Sequence, residues 1–265
     1  MNSRITNIIK EQNIKGRIAL IPFITAGYPS VEGCINVAKG LVDGGSDVIE
    51  IGMPFSDPIA EGPTIQKSSH MAIENGMNIR KSLDIVEKIR SSGINIPIIM
   101  MGYINPILNI GLSNFAKLAT NAGANGLIIA DMPNEELKQI QISTAENSLD
   151  TIPLISLNSS EERIELGCKY AQGFIYCISI LGVTGSRSSI SLTVKEKVKT
   201  VKKFTNIPVG VGFGISKPSH VKNIKEYADA VIVGSALIDE LEKAKSNPGT
   251  TAKKFISNLY KETFK

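Results

Sequence analysis

Short apolar runs alternate along this chain with longer amphipathic segments. Eight of these runs are rich in Ile and Val, are bounded by Gly, Pro, Asp or Asn, and are apolar almost without interruption. Continuous apolar character is typical of strands that are buried on both faces. The predicted strands are ALIPFIT (19–25), DVIEIG (47–52), IPIIMMG (96–102), GLIIAD (126–131), IPLIS (152–156), FIYCIS (174–179), IPVGVGFG (207–214) and AVIVGS (230–235).

Segments with helical spacing separate the predicted strands. They cover residues 31–43, 80–91, 112–121, 134–147, 160–171, 192–204, 218–227 and 248–262. Strict alternation of strand and helix with short connections predicts parallel pairing, and eight such units favour a closed (β/α)8 TIM barrel over an open doubly wound sheet. An extra N-terminal helix over about residues 2–13 would cover the bottom of the barrel. The chain contains no linker, so we expect one domain over residues 1–265.

The composition is ordinary for a soluble globular enzyme, with 42% hydrophobic and 20% charged residues. The net charge is +4, with Lys and acidic residues interspersed along the chain, and Trp is absent. Both features argue against a nucleic-acid-binding protein. The three cysteines show no CxxC spacing; they are Cys34, Cys168 and Cys177. We therefore expect them to be buried, unpaired side chains in a protein of a reducing compartment. Residues 1–17 lack an apolar signal core and no membrane span is predicted. We therefore expect a cytoplasmic location, or an organelle stroma if the chain is made there.

A TIM barrel carries its active site in the loops at the carboxyl ends of its strands. Glu50 stands at such an end, and a carboxylate among β-branched residues normally persists only when it is paired or used. Glu61 follows on a long loop and completes a plausible acid/base pair. Alternatives remain open for each: a buried ion pair for Glu50, a solvated carboxylate for Glu61, an Asx turn for Asp57 and a turn cap for Asp131.

Glycine clusters follow the last three predicted strands. They are Gly182-Val-Thr-Gly185, Gly212-Phe-Gly214 and Gly234-Ser235. Loops after strands 7 and 8, together with a short extra helix, form the recurring phosphate site of these barrels, because Gly lets backbone N–H groups approach the anion. Residues 235–243 predict that short helix, with Ser235 as its N-cap. The alternative is that these glycines are ordinary turn formers.

The two histidines, His70 and His220, fall in predicted helical segments with no metal-ligand spacing around them, so we expect surface or capping roles. The VGFGIS segment does not follow a first strand, so a dinucleotide-binding fold is not supported.

The motifs of the strand ends match one known family in order and spacing over nearly the whole chain. They resemble the tryptophan synthase alpha subunit family, and the combination of FSDP, GVTG and GFGIS is highly specific. The matching segments are PFITAGYP (22–29), EIGMPFSDPIAEGPTIQ (50–66), MGYINPI (101–107), GLIIADMP (126–133), FIYCISILGVTG (174–185), VGVGFGIS (209–216) and VIVGSALI (231–238).

The resemblance implies a lyase of tryptophan biosynthesis that cleaves indole-3-glycerol phosphate to indole and glyceraldehyde 3-phosphate by a retro-aldol reaction. It implies no cofactor on this chain, because pyridoxal phosphate (PLP) belongs to the beta subunit, which receives the indole. The implied assembly is an alpha2-beta2 tetramer. Glu50 matches the catalytic general acid/base, and Glu61 matches the second acid, which accepts from the indole N–H.

The resemblance also assigns binding roles. Thr184, on the loop after the sixth strand, matches the threonine that closes the site. The indole slot would be formed by Phe23, Leu127 and Ile129, with Tyr176 beside it. The substrate and phosphate binders would include Gly185, Gly212, Phe213, Gly214, Gly234 and Ser235. The positions at the beta-subunit contact would be Pro54, Asp57, Pro58, Asn105 and Pro133.

This chain departs from the family pattern at three places around the site. Glu61 stands where the family usually has Asp, Ser156-Leu157-Asn158 replaces an Ala-Pro-Thr loop, and Ile180-Leu181 stands where an Arg is usual. An added methylene moves a carboxylate by about 1 Å, which affects rate in a preorganised site. Two other readings therefore stay open: a barrel that mainly binds and activates a beta subunit, and a stand-alone indole-producing lyase.

Overall fold

The structure is a computed structural model that describes residues 3–178, 187–212, 214–244 and 247–265. Within these ranges, nine short strands form one parallel sheet. They are β1 (Ala19–Thr25), β2 (Ile49–Gly52), β3 (Ile98–Gly102), β4 (Gly126–Ile129), β5 (Asp150–Thr151), β6 (Leu154–Ile155), β7 (Ile175–Ile178), β8 (Val209–Gly212) and β9 (Ala230–Val233).

Helices surround the sheet, and all but the first of them follow a strand. They are α1 (Arg4–Ile14), α2 (Val31–Gly44), α3 (Pro63–Glu74), α4 (Ile79–Ser91), α5 (Ile104–Ile110), α6 (Leu112–Ala122), α7 (Leu137–Glu146), α8 (Glu161–Tyr170), α9 (Arg187–Phe204), α10 (Pro218–Ile224), α11 (Ser235–Lys243) and α12 (Pro248–Tyr260), with a 3-10 turn at Asn134–Glu136. The extra N-terminal helix is confirmed as α1. The sequence pattern missed α3 and α5, which lie in the loops after β2 and β3.

The sheet closes into a barrel through the segment 150–155. Its first piece, β5, pairs with β4, and its second piece, β6, pairs with β7. Pro153 has no N–H to donate and so interrupts the ladder between the two pieces. Its carbonyl still accepts from the Tyr176 N–H at 3.1 Å, and the Ile152 N–H donates to the Leu127 carbonyl at 3.0 Å. The two pieces are therefore one barrel strand, and the predicted (β/α)8 barrel is confirmed.

Two apolar layers lie on either side of the barrel wall. The interior cluster includes Ile21, Phe23, Met101, Ile128 and Tyr176, and Ile5 and Ile9 of α1 close it from below. The layer between strands and helices contains the alternate strand residues, such as Leu20 and Ile24 of β1. Both faces of the strands are thus buried over nearly all of their length, which is why the runs are apolar without alternation.

Local signals explain where several helices begin and end. The side chains of Ser30, Asn78 and Ser160 accept from backbone N–H groups of α2, α4 and α8, as N-caps do. Gly45 ends α2 in the left-handed conformation. The prediction for α11 was correct in its range but wrong in its cap: Gly234 is the N-cap and Ser235 is the first helical residue.

A buried ion pair lies at the amino-terminal end of the barrel, below β2. Two Arg17 nitrogens donate to the Asp47 carboxylate at 2.6 and 2.8 Å, and the Leu20 N–H donates to the same carboxylate at 2.8 Å. The Arg17 guanidinium also stacks on the Tyr260 ring at 4.9 Å. Every oxygen of this buried carboxylate therefore has a partner, as a buried charge requires.

Cys34, Cys168 and Cys177 are free and buried, as predicted. Over the described residues, no helix is both long and apolar enough to cross a membrane.

Candidate active site

A cleft opens at the carboxyl ends of the barrel strands. It encloses about 430 Å³, its open mouth included. The structure brings together seven of the residues predicted for the site, together with four apolar residues that were not predicted. The lining residues are Phe23, Glu50, Glu61, Ile65, Met101, Tyr176, Gly214, Ile215, Ile232, Gly234 and Ser235.

Glu50 occupies an inward position of β2. The neighbours Ile49 and Ile51 belong to the helix-facing layer, so the period of two along a strand turns Glu50 into the barrel. Its side chain is 1% exposed, and its Oε2 atom has no hydrogen-bond partner among the described residues. None of the ion pairs in the described ranges involves it. A structural ion pair, the alternative considered for this residue, is therefore not supported.

The environment of Glu50 favours the protonated acid. Burial raises its pKa to about 8, and the charge of Glu61 adds to this effect. An unpaired buried carboxylate would lose its hydration without compensation, so the neutral form is preferred. A carboxyl group with this pKa is able to give and take a proton near neutral pH.

Glu61 belongs to the loop 53–62 between β2 and α3. Burial raises the pKa of its carboxyl to about 7, against the lowering effect of a hydrogen bond from Tyr103. The backbone around it is held by the Ala60 N–H, which donates to the Tyr103 hydroxyl at 3.0 Å, and by Gln66, whose Nε2 donates to the Glu61 carbonyl at 2.9 Å. Glu61 is thus a partly buried cleft residue, so the solvated alternative is not supported.

Two glycines at strand ends make room for aromatic rings in the cleft. A Cβ on Gly52 would lie 2.3 Å from the Phe23 ring, and a Cβ on Gly212 would lie 2.3 Å from the Tyr176 hydroxyl. Tyr176 is buried, and its pKa is raised well above the ordinary range by burial and then by Glu50 and Glu61. The absence of a side chain at Gly212 therefore leaves the space that the Tyr176 hydroxyl occupies.

The opposite wall of the cleft is formed by the start of α11. Gly234 and Ser235 line the cleft at this helix N-terminus, where free N–H groups and the helix dipole favour an anion. Gly214 faces them with φ of +74°, a conformation that suits glycine. Thr184, Gly185 and Phe213 lie outside the described residues, as do Ile180 and Leu181.

Leu127 and Ile129 do not lie in the cleft, contrary to the prediction. Both side chains belong to the helix-facing layer and line a small cavity with Leu137 and Ile140 of α7. The inward residue of β4 is Ile128, because side chains alternate across a strand. The register of the sheet pairs Glu50 with Ile99 and Ile99 with Gly126, so Met101 and Ile128, two residues further along their strands, face inward.

The residues assigned to a partner contact lie around the cleft mouth with different exposures. Asp57, Asn105 and Pro133 are exposed, Pro58 is half-buried, and Pro54 is buried. Ile59 of the loop 53–62 and Leu108 of α5 are also exposed, by 82% and 57%.

Two acidic residues of these loops have local partners. The Asp57 carboxylate accepts from the Ser56 hydroxyl at 2.6 Å. The Asp131 carboxylate accepts from the Ile104 N–H at 2.9 Å and so caps the start of α5 rather than the turn that follows it in the chain.

The loop after β6, which carries Ser156-Leu157-Asn158, forms a local hydrogen-bond network. The Ser156 hydroxyl donates to the Asn158 side chain at 2.6 Å, and the Ser156 N–H donates to the Ser159 hydroxyl at 3.2 Å. Lys197 of α9 donates to the Ser159 carbonyl at 2.8 Å. The polar side chains of this departure from the family pattern therefore satisfy one another locally.

Comparisons with known proteins agree with this geometry. The family described as tryptophan synthase alpha chain matches residues 9–265. The alpha chain of Thermoanaerobacter sp. (strain X514) is 44% identical over 247 residues, which cover 92% of this chain and 94% of that protein. Tryptophan synthase of Saccharomyces cerevisiae is 42% identical over 239 residues, which cover 90% of this chain but 34% of that longer protein.

Solved structures give the same answer. The alpha subunit of tryptophan synthase from Legionella pneumophila str. Paris superposes with a TM-score of 0.91 at 33% identity, covering 99% of each chain. Tryptophan synthase from M. tuberculosis in its aminoacrylate-bound form superposes with a TM-score of 0.89 at 32% identity, covering 99% of this chain and 100% of that one. This chain therefore belongs to the tryptophan synthase alpha chain family.

Proposed function

We propose that this chain cleaves indole-3-glycerol phosphate into indole and glyceraldehyde 3-phosphate, as the alpha subunit of tryptophan synthase in tryptophan biosynthesis. The carrying observation is Glu50, a buried carboxyl that has no ionic partner among the described residues and shares one cleft with Glu61 and a helix N-terminus. Membership of the alpha chain family supports the same reaction.

In this proposal Glu50 performs both proton transfers. A carboxyl with a pKa of about 8 is mostly protonated at neutral pH and can protonate indole C3. The resulting carboxylate then takes the proton of the glycerol hydroxyl, the hydroxyl carbon becomes the aldehyde, and the carbon–carbon bond to indole C3 breaks. The proton count closes, because the acid is regenerated as indole leaves.

Glu61 takes the complementary role in ionised form. Glu61 is less buried than Glu50, and a hydrogen bond from Tyr103 lowers its pKa, so it is the carboxyl of the two that ionises more readily. An ionised Glu61 accepts from the indole N–H and stabilises the positive charge that develops on the ring when C3 is protonated.

Substrate binding divides the cleft between an apolar and an anionic end. The indole ring would pack on Phe23, Tyr176 and Ile232, and the phosphate would bind the N–H groups at Gly234 and Ser235 beside Gly214. The roles of Thr184, Gly185 and Phe213 rest on the family resemblance.

The proposed partner is a PLP-dependent beta subunit in an alpha2-beta2 tetramer, with no cofactor held by this chain. The exposed Ile59 and Leu108 beside Asp57, Asn105 and Pro133 support the cleft mouth as the contact surface. Three free cysteines support a reducing compartment, and we place the protein in the cytoplasm.

The test is indole release from indole-3-glycerol phosphate by the purified chain, alone and with a beta subunit from the same source. Slow release that accelerates with the partner is the expected result. Fast release that the partner does not change would favour a stand-alone lyase.

A second candidate is a barrel that binds the substrate and activates the beta subunit without cleaving it, and the substitution of Glu61 for the usual Asp motivates it. If neither condition releases indole while calorimetry shows intact substrate binding, this binding and activating role replaces the proposed cleavage.

A further inference from the structure

Tyr103 contacts the Glu61 loop in two ways. It follows β3, its side chain is buried, and its ring stacks on Phe55 of the loop 53–62 with centroids 5.0 Å apart. Its hydroxyl accepts from the Ala60 N–H at 3.0 Å, one residue before the acid. The buried Tyr103 side chain therefore contacts the loop 53–62 at two points, the Phe55 ring and the Ala60 N–H.

The same hydroxyl has one proton left to donate. A phenolic oxygen that accepts from a backbone N–H still carries its own O–H, and the Glu61 carboxyl is the acceptor that Tyr103 interacts with. A hydrogen bond donated to a carboxylate stabilises the ionised form. Tyr103 therefore favours the form of Glu61 that accepts from an N–H.

The extra methylene of Glu61 makes such a partner more important. Glu has one more rotatable bond than Asp, so more conformational freedom must be removed to fix its carboxylate. The Tyr103 hydroxyl binds the neighbouring Ala60 N–H and so constrains the backbone from which the longer side chain projects. It also lies near enough to the Glu61 carboxyl to lower the pKa of that group.

We propose that Tyr103 is a positioning residue that holds the Glu61 carboxylate in the cleft through its hydroxyl. The role rests on the proposed function, in which Glu61 accepts from the indole N–H. Tyr103 need not touch the substrate, because it acts through Glu61.

Other ionisable groups face this pair and enter the pH dependence. Glu50 faces Glu61 across the cleft, Tyr176 lies near both carboxyls, and Asp131 acts on the Tyr103 hydroxyl from the end of β4. Because the charge of Glu61 raises the pKa of Glu50, the titration of Glu61 is best observed with Glu50 replaced by Gln.

The first experiment is an NMR titration of 13C-labelled Glu side chains in Glu50→Gln and in Glu50→Gln/Tyr103→Phe, assigned with Glu61→Gln. Phe keeps the stacking on Phe55 and removes only the hydroxyl. We expect the acid dissociation constant of Glu61 to fall tenfold or more when the hydroxyl is removed. An unchanged titration would overturn the inference. This readout needs no turnover, so it decides on Tyr103 even if the proposed cleavage fails.

The second experiment follows indole release against pH in Tyr103→Phe with Glu50 intact. We expect kcat to fall roughly 10- to 100-fold near pH 6.5, with a smaller deficit at pH 9 and little change in KM. Tyr170→Phe, the same change on the outer helix α8, is the matched control and should follow the wild type. In a Glu61→Gln background, Tyr103→Phe should have no further effect on the pH profile. A Tyr103→Phe deficit that is equal at all pH values and persists without Glu61 would mean a merely structural role.

Discussion

Asp47 and Glu50 are two buried carboxyls on one segment of chain, at opposite ends of the barrel wall. Asp47, at the closed end, binds both Arg17 nitrogens and the Leu20 N–H. Glu50, at the cleft end, has a buried oxygen that finds no partner in the part of the chain that the structure describes. Both residues are buried to a similar degree, so burial alone does not distinguish them.

The difference between the two residues lies in what compensates for lost hydration. At the closed end a cation and a backbone donor stabilise the charge, and the group contributes to the integrity of the fold. At the cleft end one oxygen of Glu50 has no partner among the described residues, and burial raises the pKa until the group can exchange a proton near neutrality. Hence replacement of Asp47 should lower the free energy of unfolding, and replacement of Glu50 should lower the rate of indole release.

The largest expected effect is that of Glu50→Gln on activity. The amide keeps the shape of the side chain and removes the proton transfer, so indole release should fall by about 10²- to 10⁴-fold. Substrate binding measured by calorimetry should remain. Retention of more than about a tenth of wild-type activity would show that the acid/base assignment is wrong.

Asp47→Ala tests the other carboxyl of the comparison and should lower the free energy of unfolding. It leaves the Arg17 guanidinium buried without its partner, which costs about 3–5 kcal/mol in the free energy of unfolding. Denaturant unfolding measures this loss. Asp43→Ala, which removes an exposed partner of Lys253, is the control and should cost less than about 1 kcal/mol. A similar cost for both variants would contradict the role assigned to the buried pair.

Stability as a function of pH should sharpen the comparison further. Because folding raises the pKa of Glu50 from about 4.5 to about 8, its contribution is fully present below pH 4.5 and is lost as the pH rises through 8. Glu50→Gln has no such loss, so it should exceed the wild type in free energy of unfolding by roughly 2–4 kcal/mol at pH 9. The difference should nearly vanish at pH 4.5. A constant difference between these two pH values would mean that Glu50 does not titrate as described.

Glu61→Asp should have the smallest effect. The shorter acid is the usual residue of the family at this position, so kcat/KM for indole release should stay within about threefold of the wild type or rise. A fall of more than about tenfold would mean that the rest of the site is adapted to the longer side chain. Glu61→Gln provides the reference for complete loss of the carboxylate.

The barrel was predictable because the pattern of eight apolar runs reflects strands buried on both faces. The same feature made the site harder to predict. With both faces of β4 apolar, the sequence alone does not say whether Ile128 or its neighbours face the cleft, and the wrong pair, Leu127 and Ile129, was assigned. Glu50 was identifiable because a carboxylate in such a run is physically unusual.

Tyr103 escaped prediction for another reason. Its role depends on a hydrogen bond to Ala60, a residue 43 positions earlier, and on a ring contact with Phe55 in the same loop. Contacts between loops that follow different strands leave no local pattern in the sequence. The helices α3 and α5 were missed similarly, because the Pro- and Gly-containing segments before them resemble plain loops.

The interruption at Pro153 gives the barrel a seam. Elsewhere the ladder runs without a break between adjacent strands, but here β5 is bound to one half of the ring and β6 to the other. Opening of a closed ring begins where the fewest hydrogen bonds must break at once. Amide hydrogen exchange should therefore be faster at Ile152 and Leu154 than at the centre of β1. We expect local opening of the barrel to occur at this interruption.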